Sequence, residues 1–222
     1  MSTAEQDELF ISLQRRIRLV VLLNAAELAG LSPISVLRLH AFAYLSNVLA
    51  PVWDMPVLDG KLLKRRGGPF YPSLQRDLDR LIGLGVVVIS GLTHVHDEEN
   101  HWRLEGAYRL NRRFAEPILS SIASFGGGPY VAAFVQELAY ALSALTESEL
   151  DRAFLEDATY SDPNVDIGNV VDFAEWQDLN YSARAARFFD RLMPGRSGAT
   201  PGEKLHLYVR HLHRRMNAGR SE

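Results

Sequence analysis

Pro72-Ser73-Leu74-Gln75-Arg76-Asp77-Leu78-Asp79-Arg80-Leu81-Ile82-Gly83-Leu84-Gly85-Val86-Val87-Val88-Ile89 is the stretch in which the spacing of the apolar residues changes. Leu74, Leu78, Leu81 and Ile82 fall on one face of a helix that Pro72 or Ser73 opens and Gly85 closes. The β-branched run from Val86 to Ile89 cannot continue that period. Farther on, Trp102, Leu104, Gly106, Tyr108 and Leu110 alternate strictly, so a two-stranded hairpin with a long polar tip follows the helix.

Upstream, Phe10, Leu13, Ile17, Val20, Val21 and Leu28 recur at helical spacing between about Ala4 and Ala29, and Gly30 ends that helix. Ser32 and Pro33 read as the N-cap and first turn of a second helix reaching about Leu49. Its residues Leu37, Phe42, Tyr44, Leu45, Val48 and Leu49 are apolar all round, which predicts a central place in the core. Pro51 to Pro72 reads as a connector rich in turn residues. Helices, then a helix closed by glycine, then a hairpin is the order of a winged helix.

Beyond Asn111 the pattern is helical with breaks. Arg112–Phe125 and Tyr130–Leu145 are helices separated by Gly126, Gly127, Gly128 and Pro129. Thr146 and Glu149 have capping-box spacing. Ser182 is expected to cap a helix ending near Met193, and Leu205, Tyr208, Val209, Leu212 and Met216 give a final amphipathic helix. The expected fold is mostly α with a small β-hairpin: a winged-helix domain over residues 1–116 and a helical C-terminal domain over residues 117–222.

Composition narrows the function. The 222 residues carry no cysteine, which excludes a disulfide framework, a thiolate metal site and a cysteine nucleophile. The net charge of -3 is not that of a basic nucleic-acid binder, so any grip on phosphate must come from a local patch. Met1 to Glu8 is polar and acidic, the reverse of a secretory n-region, and Leu19–Leu31 is too short and too interrupted for a membrane span. A cytoplasmic protein with no membrane role is expected.

Charge is unevenly spread. Residues 1–116 hold 14 Lys/Arg against 13 Asp/Glu, residues 147–180 hold 10 acids and only Arg152 as a base, and residues 181–222 hold 9 bases against 3 acids. The acidic and basic C-terminal stretches can pair with each other or face two partners. The basic run Lys61, Lys64, Arg65, Arg66, with Arg76 and Arg80 on the third helix, supplies the candidate phosphate or DNA contacts. Against DNA stand Asp77 and Asp79 on that helix and Asp97, Glu98 and Glu99 at the hairpin tip, where a DNA-reading wing presents cations. These three tip acids, with Arg210, Arg214 and Arg215 on the last helix, are candidate partner-docking residues.

Catalytic and metal-binding motifs do not emerge. His94, His96 and His101 flank the tip acids, and a His-x-His pair on a strand points both rings to one face, as a zinc or manganese site needs. No further ligands follow at a recognisable spacing, and a polar tip is the simpler reading. His206, His211 and His213 lie among arginines and read as solvated or interface residues. Neither Gly67-Gly68 nor Gly126-Gly127-Gly128 precedes the Lys-Ser/Thr pair of a phosphate loop, and no Gly-x-Ser-x-Gly elbow occurs. Pro69, Phe70 and Tyr71 read as packing against the third helix. A non-enzyme without a cofactor is expected.

Leu39-His40-Ala41-Phe42-Ala43-Tyr44-Leu45, Leu49-Ala50-Pro51-Val52-Trp53, Lys64-Arg65-Arg66-Gly67-Gly68-Pro69-Phe70-Tyr71-Pro72, Leu78-Asp79-Arg80-Leu81 and Gly85-Val86-Val87 together resemble the middle component of bacterial ABC-three-component, Lamassu-like, defence systems. The likeness covers about residues 30–110. It implies a non-catalytic adaptor joining an SMC-like ATPase to an effector in defence against phage or plasmids, docked through its winged helix, with DNA reached through the complex. A winged-helix DNA-binding transcription regulator is the alternative.

Overall fold

The computed structural model describes residues 3–57, 61–65, 67–96, 102–163, 166–172, 180–189 and 198–218. It is mostly helical with two small antiparallel sheets. Helix α1 (Thr3–Leu28) leads to a two-residue strand β1 (Ile34–Ser35) and then α2 (Val36–Leu49). The N-cap of α2 is Ser35, not Ser32, and its side chain accepts from the Arg38 amide. The reason for the displacement is tertiary: Ile34 and Ser35 pair with a strand of the hairpin, which holds them extended until the helix can start. Every residue of α2 from Leu39 to Leu49 is buried, as its all-round apolar sequence requires.

Helix α3 (Pro72–Gly83) carries Pro72 in its first turn, where the missing amide is not needed, and Gly85 follows at φ +73° to turn the chain. Strands β4 (Val87–His96) and β5 (Trp102–Leu110) form the expected hairpin, in register from Val87–Leu110 to His96–Trp102 with an irregularity between Ser90 and Thr93. Strand β1 adds to the far side of β5, Ile34 opposite Tyr108, so the sheet order is β1-β5-β4.

The connector before α3 is more than a chain of turns. Lys61–Arg65 forms β2 and Gly68–Phe70 forms β3, an antiparallel hairpin. At Gly68, with φ +128°, a Cβ would stand 2.7 Å from Leu37 Cδ1, so this position needs glycine for conformation and for space. Strand β6 (Val170–Asp172), from the acidic stretch, pairs with the other edge of β2 to give the order β3-β2-β6. This strand's two-sided partner lies over a hundred positions away in sequence, which is why local pattern reads it as loop.

The remaining helices are α4 (Arg112–Ser124), α5 (Gly128–Leu142), α6 (Glu147–Leu150), α7 (Tyr181–Phe188) and α8 (Pro201–Ala218). The Thr146–Glu149 capping box forms at the start of α6. Helix α7 is capped by Asn180, and Ser182 lies inside it, turned to the interior. Buried side chains from Leu19 to Met216 form one cluster, in which α1 and α2 pack on α5, and α5 in turn on α8. The two stretches divided at residue 116 therefore share a core and, through β2 and β6, a sheet.

Candidate functional site

The basic run is built into the fold. Lys64 Nζ donates to the Asp162 carbonyl at 3.2 Å and lies over the Tyr160 ring, and burial lowers its pKa although Asp162 and Asp166 act to raise it. The Arg65 guanidinium lies 3.8 Å from the Phe70 ring centre, while its carbonyl accepts from the Tyr160 hydroxyl at 2.7 Å. Lys61 is exposed on the same strand, and Arg66 lies outside the described residues. The Lys64 ammonium and the Arg65 backbone carbonyl thus join β2 to the loop around Asp157–Asp162, while the Arg65 guanidinium lies on β3.

On α3 the charges sort differently from their helical spacing. Asp77 is buried, not exposed: it accepts from Ser12 Oγ at 2.8 Å and from Arg15 Nε at 2.7 Å, with Arg16 at 3.9 Å. The exposed face carries Arg76, Asp79 and Arg80, and Asp79 accepts from Gln75 at 2.9 Å. Neither Arg76 nor Arg80 forms an ion pair with any described residue. The electrostatic objection to phosphate is accordingly halved on this helix. Asp97, Glu98 and Glu99, with His101, lie outside the described residues; His94 and His96 are exposed on β4. Among the described residues no three His, Asp or Glu side chains converge on a cation site.

Some of the C-terminal charges pair within the fold. Arg215 Nε pairs with Glu156 at 3.4 Å, His213 with Glu149 at 3.0 Å, and His206 with Glu137 at 2.8 Å. Arg38 of α2 takes Asp151 at 2.6 Å and Glu147 at 3.3 Å, and its pKa is raised chiefly by the Asp151 hydrogen bond. Arg210 and Arg214 stay exposed on α8 with no ion pair among the described residues.

Beside Arg38 an open groove of about 890 Å³ runs between β1, the irregular part of the β4–β5 hairpin and the corner joining α5 to α6. Leu31, Phe42, Leu45, Leu142 and Leu145 give it apolar surface, and Glu105, Glu147 and Asp151 lie along its walls.

A polar centre that local pattern does not reveal sits in the core. Asp157 is fully buried and accepts from the hydroxyls of Tyr44, Tyr208 at 2.7 Å and Ser182 at 2.7 Å, and from the Thr159 and Tyr160 amides at 3.0 Å. Burial first, and the neighbouring carboxylate second, push the pKa of Tyr44 and of Tyr208 far up, so both remain protonated donors. The arrangement ties α2, α7 and α8 to one carboxylate and leaves it enclosed. Similarly, His40 is buried with Nδ1 accepting from the Tyr71 amide at 3.1 Å and Nε2 facing Gln75 Oε1 at 3.2 Å. Asn47 donates to the Tyr71 hydroxyl at 2.9 Å. The signal available in sequence was His40, Tyr44 and Asn47 within an otherwise apolar buried helix, since buried polar groups need partners.

No family model matches the chain, and neither a curated protein nor a solved structure is significantly similar to it. Among the described residues no single helix is long and apolar enough to cross a membrane.

Proposed function

We propose that the chain is a non-catalytic adaptor built on a winged helix, the middle component of an ABC-three-component defence complex, docking an SMC-like ATPase to an effector in the cytoplasm. The winged-helix reading is supported by β1 joined to β5 and by α3 leading into the β4–β5 hairpin, in the order α1-β1-α2-β2-β3-α3-β4-β5, in which the β2–β3 hairpin is an addition between α2 and α3. The observation that carries the adaptor reading is the use made of the basic run. Lys64 is held by Tyr160 and Asp162 and the Arg65 guanidinium lies over Phe70, so these two cations of the run already serve contacts within the fold. Open surface beside β1 is available for a protein partner. Co-purification with the products of adjacent genes tests the reading. A stable complex with an SMC-like ATPase supports it, and a chain that ignores that ATPase overturns it.

A second reading, direct DNA binding as a transcription regulator, is favoured by one observation: Asp77 is withdrawn from the surface of α3, leaving Arg76 and Arg80 against Asp79. It requires duplex binding that weakens as salt rises, with Arg76→Ala/Arg80→Ala reducing both affinity and the salt slope. Absence of a duplex shift at low salt eliminates it.

A further inference from the structure

The groove beside Arg38 combines apolar surface with an excess of negative charge. Leu31, Val36, Leu37 and Leu150 are half-buried along it, and the core residues Phe42 and Leu145 also line it. Its charged lining is Glu105, Glu147 and Asp151 against Arg38 alone. Arg38 does not balance them. Its Nε and Nη2 donate to the two oxygens of Asp151 at 2.6 and 3.0 Å, and Nη2 reaches Glu147 at 3.3 Å, so two carboxylates share one guanidinium. The Glu147 side chain is 86% exposed, and Glu105 belongs to β5, on the hairpin side of the groove.

We propose that this groove receives a cationic, apolar segment of a partner polypeptide, its lysine or arginine meeting the carboxylates of the two walls and its aliphatic side chains covering the leucines between them. This deepens the adaptor reading and rests on its use of the surface beside β1 for a protein partner. A polypeptide fits the groove better than a small cation does. The volume, about 890 Å³, is that of a small-molecule site, but such sites enclose about 70–90% of their ligand, whereas an open groove covers a chain from one side.

Charge complementarity selects the sign of the occupant. An acidic segment or a phosphate backbone laid in the groove would set anion against anion, with the one guanidinium already taken by Asp151 and Glu147. The stretch that supplies those two carboxylates, residues 147–180, holds 10 acids and only Arg152 as a base, so the wider field has the same sign.

The natural lack of cysteine lets Ser143→Cys, at an exposed position on the groove wall, carry a single environment-sensitive fluorophore. Titrated with a short synthetic peptide alternating lysine and leucine, the labelled full chain is expected to give a saturable blue shift. Peptides alternating glutamate with leucine, or lysine with serine, should give none. Glu105→Gln/Glu147→Gln should weaken binding about fivefold, the loss of two exposed ion pairs, and added salt should narrow that difference. Ser90→Trp, at an exposed position on the hairpin wall, should abolish binding by filling the groove while every charge stays in place. No saturable shift with the lysine–leucine peptide, an equal response to the glutamate–leucine peptide, or binding that survives Ser90→Trp would each overturn the proposal. A complex with an SMC-like ATPase formed by a chain that does not bind the peptide overturns this site alone. Peptide binding by a chain that ignores that ATPase overturns the adaptor reading alone.

Discussion

Arg15 donates through Nε to Asp77 at 2.7 Å, joining α1 to α3 through a carboxylate that its helical spacing suggests is exposed. Ser12 donates to the other oxygen of the same group, so Asp77 anchors the outer turns of α1 to α3.

Removal of that carboxylate strands Arg15 and Arg16 at a largely buried position. Asp77→Ala is expected to lower stability by about 3 kcal/mol, because breaking a buried pair leaves its partner uncompensated. Asp79→Ala, on the exposed face two residues away, should stay within about 0.5 kcal/mol. Urea unfolding of the two variants checks this, and equal effects would refute the assignment of Asp77 to the interior.

The Asp157 centre is expected to behave as a unit. Tyr208→Phe removes one hydrogen bond to a buried carboxylate, a loss of about 2 kcal/mol. Tyr44→Phe removes another, and the double variant should lose more than the sum, since Ser182 is then the last hydroxyl donor beside the backbone amides. A double-mutant cycle by denaturant unfolding measures the excess.

Stability is expected to fall on mild acidification because of His40. Burial, only partly opposed by the Gln75 hydrogen bond, depresses its pKa to about 4 from 6.5. Above pH 6.5 the ring is neutral in both folded and unfolded chains, and this residue adds no pH dependence. Between pH 6.5 and 4 the unfolded chain takes up the proton and the folded chain resists it, so up to about 3 kcal/mol is lost as the pH falls through that window. The difference between the pH–stability curves of wild type and His40→Gln isolates the effect; parallel curves would contradict it.

Two glycines separate conformation from space. Gly68→Ala meets a positive φ and the Leu37 side chain together and is expected to destabilise by more than about 2 kcal/mol. Gly91→Ala, at φ +62° with open space around it, should cost about 1 kcal/mol. Thermal unfolding of both variants decides.

Helices α1, α2, α3 and α8 and the β4–β5 hairpin follow from the chain's own periodicities, because each buries one face, or in α2 every face, and punctuates its ends with glycine, proline or a capping side chain. The capping box of α6 was legible for the same reason. Strands β1, β2, β3 and β6 are too short to show a period, and two of them exist only by pairing with residues far along the chain. That distance also hid how the polar residues are used.

Lys64, Asp77, Asp157 and Ser182 look alike to any local rule: polar residues in polar surroundings, free to face water. Which of them do so depends on what another segment places opposite, and a buried charge or hydroxyl persists only where that segment supplies hydrogen bonds. The amino-acid order by itself determined the helices, the hairpin and the absence of thiol chemistry. Tertiary structure alone decided which charges remain available to a partner, since a side chain's desolvation and its counter-charges are set by neighbours remote in sequence.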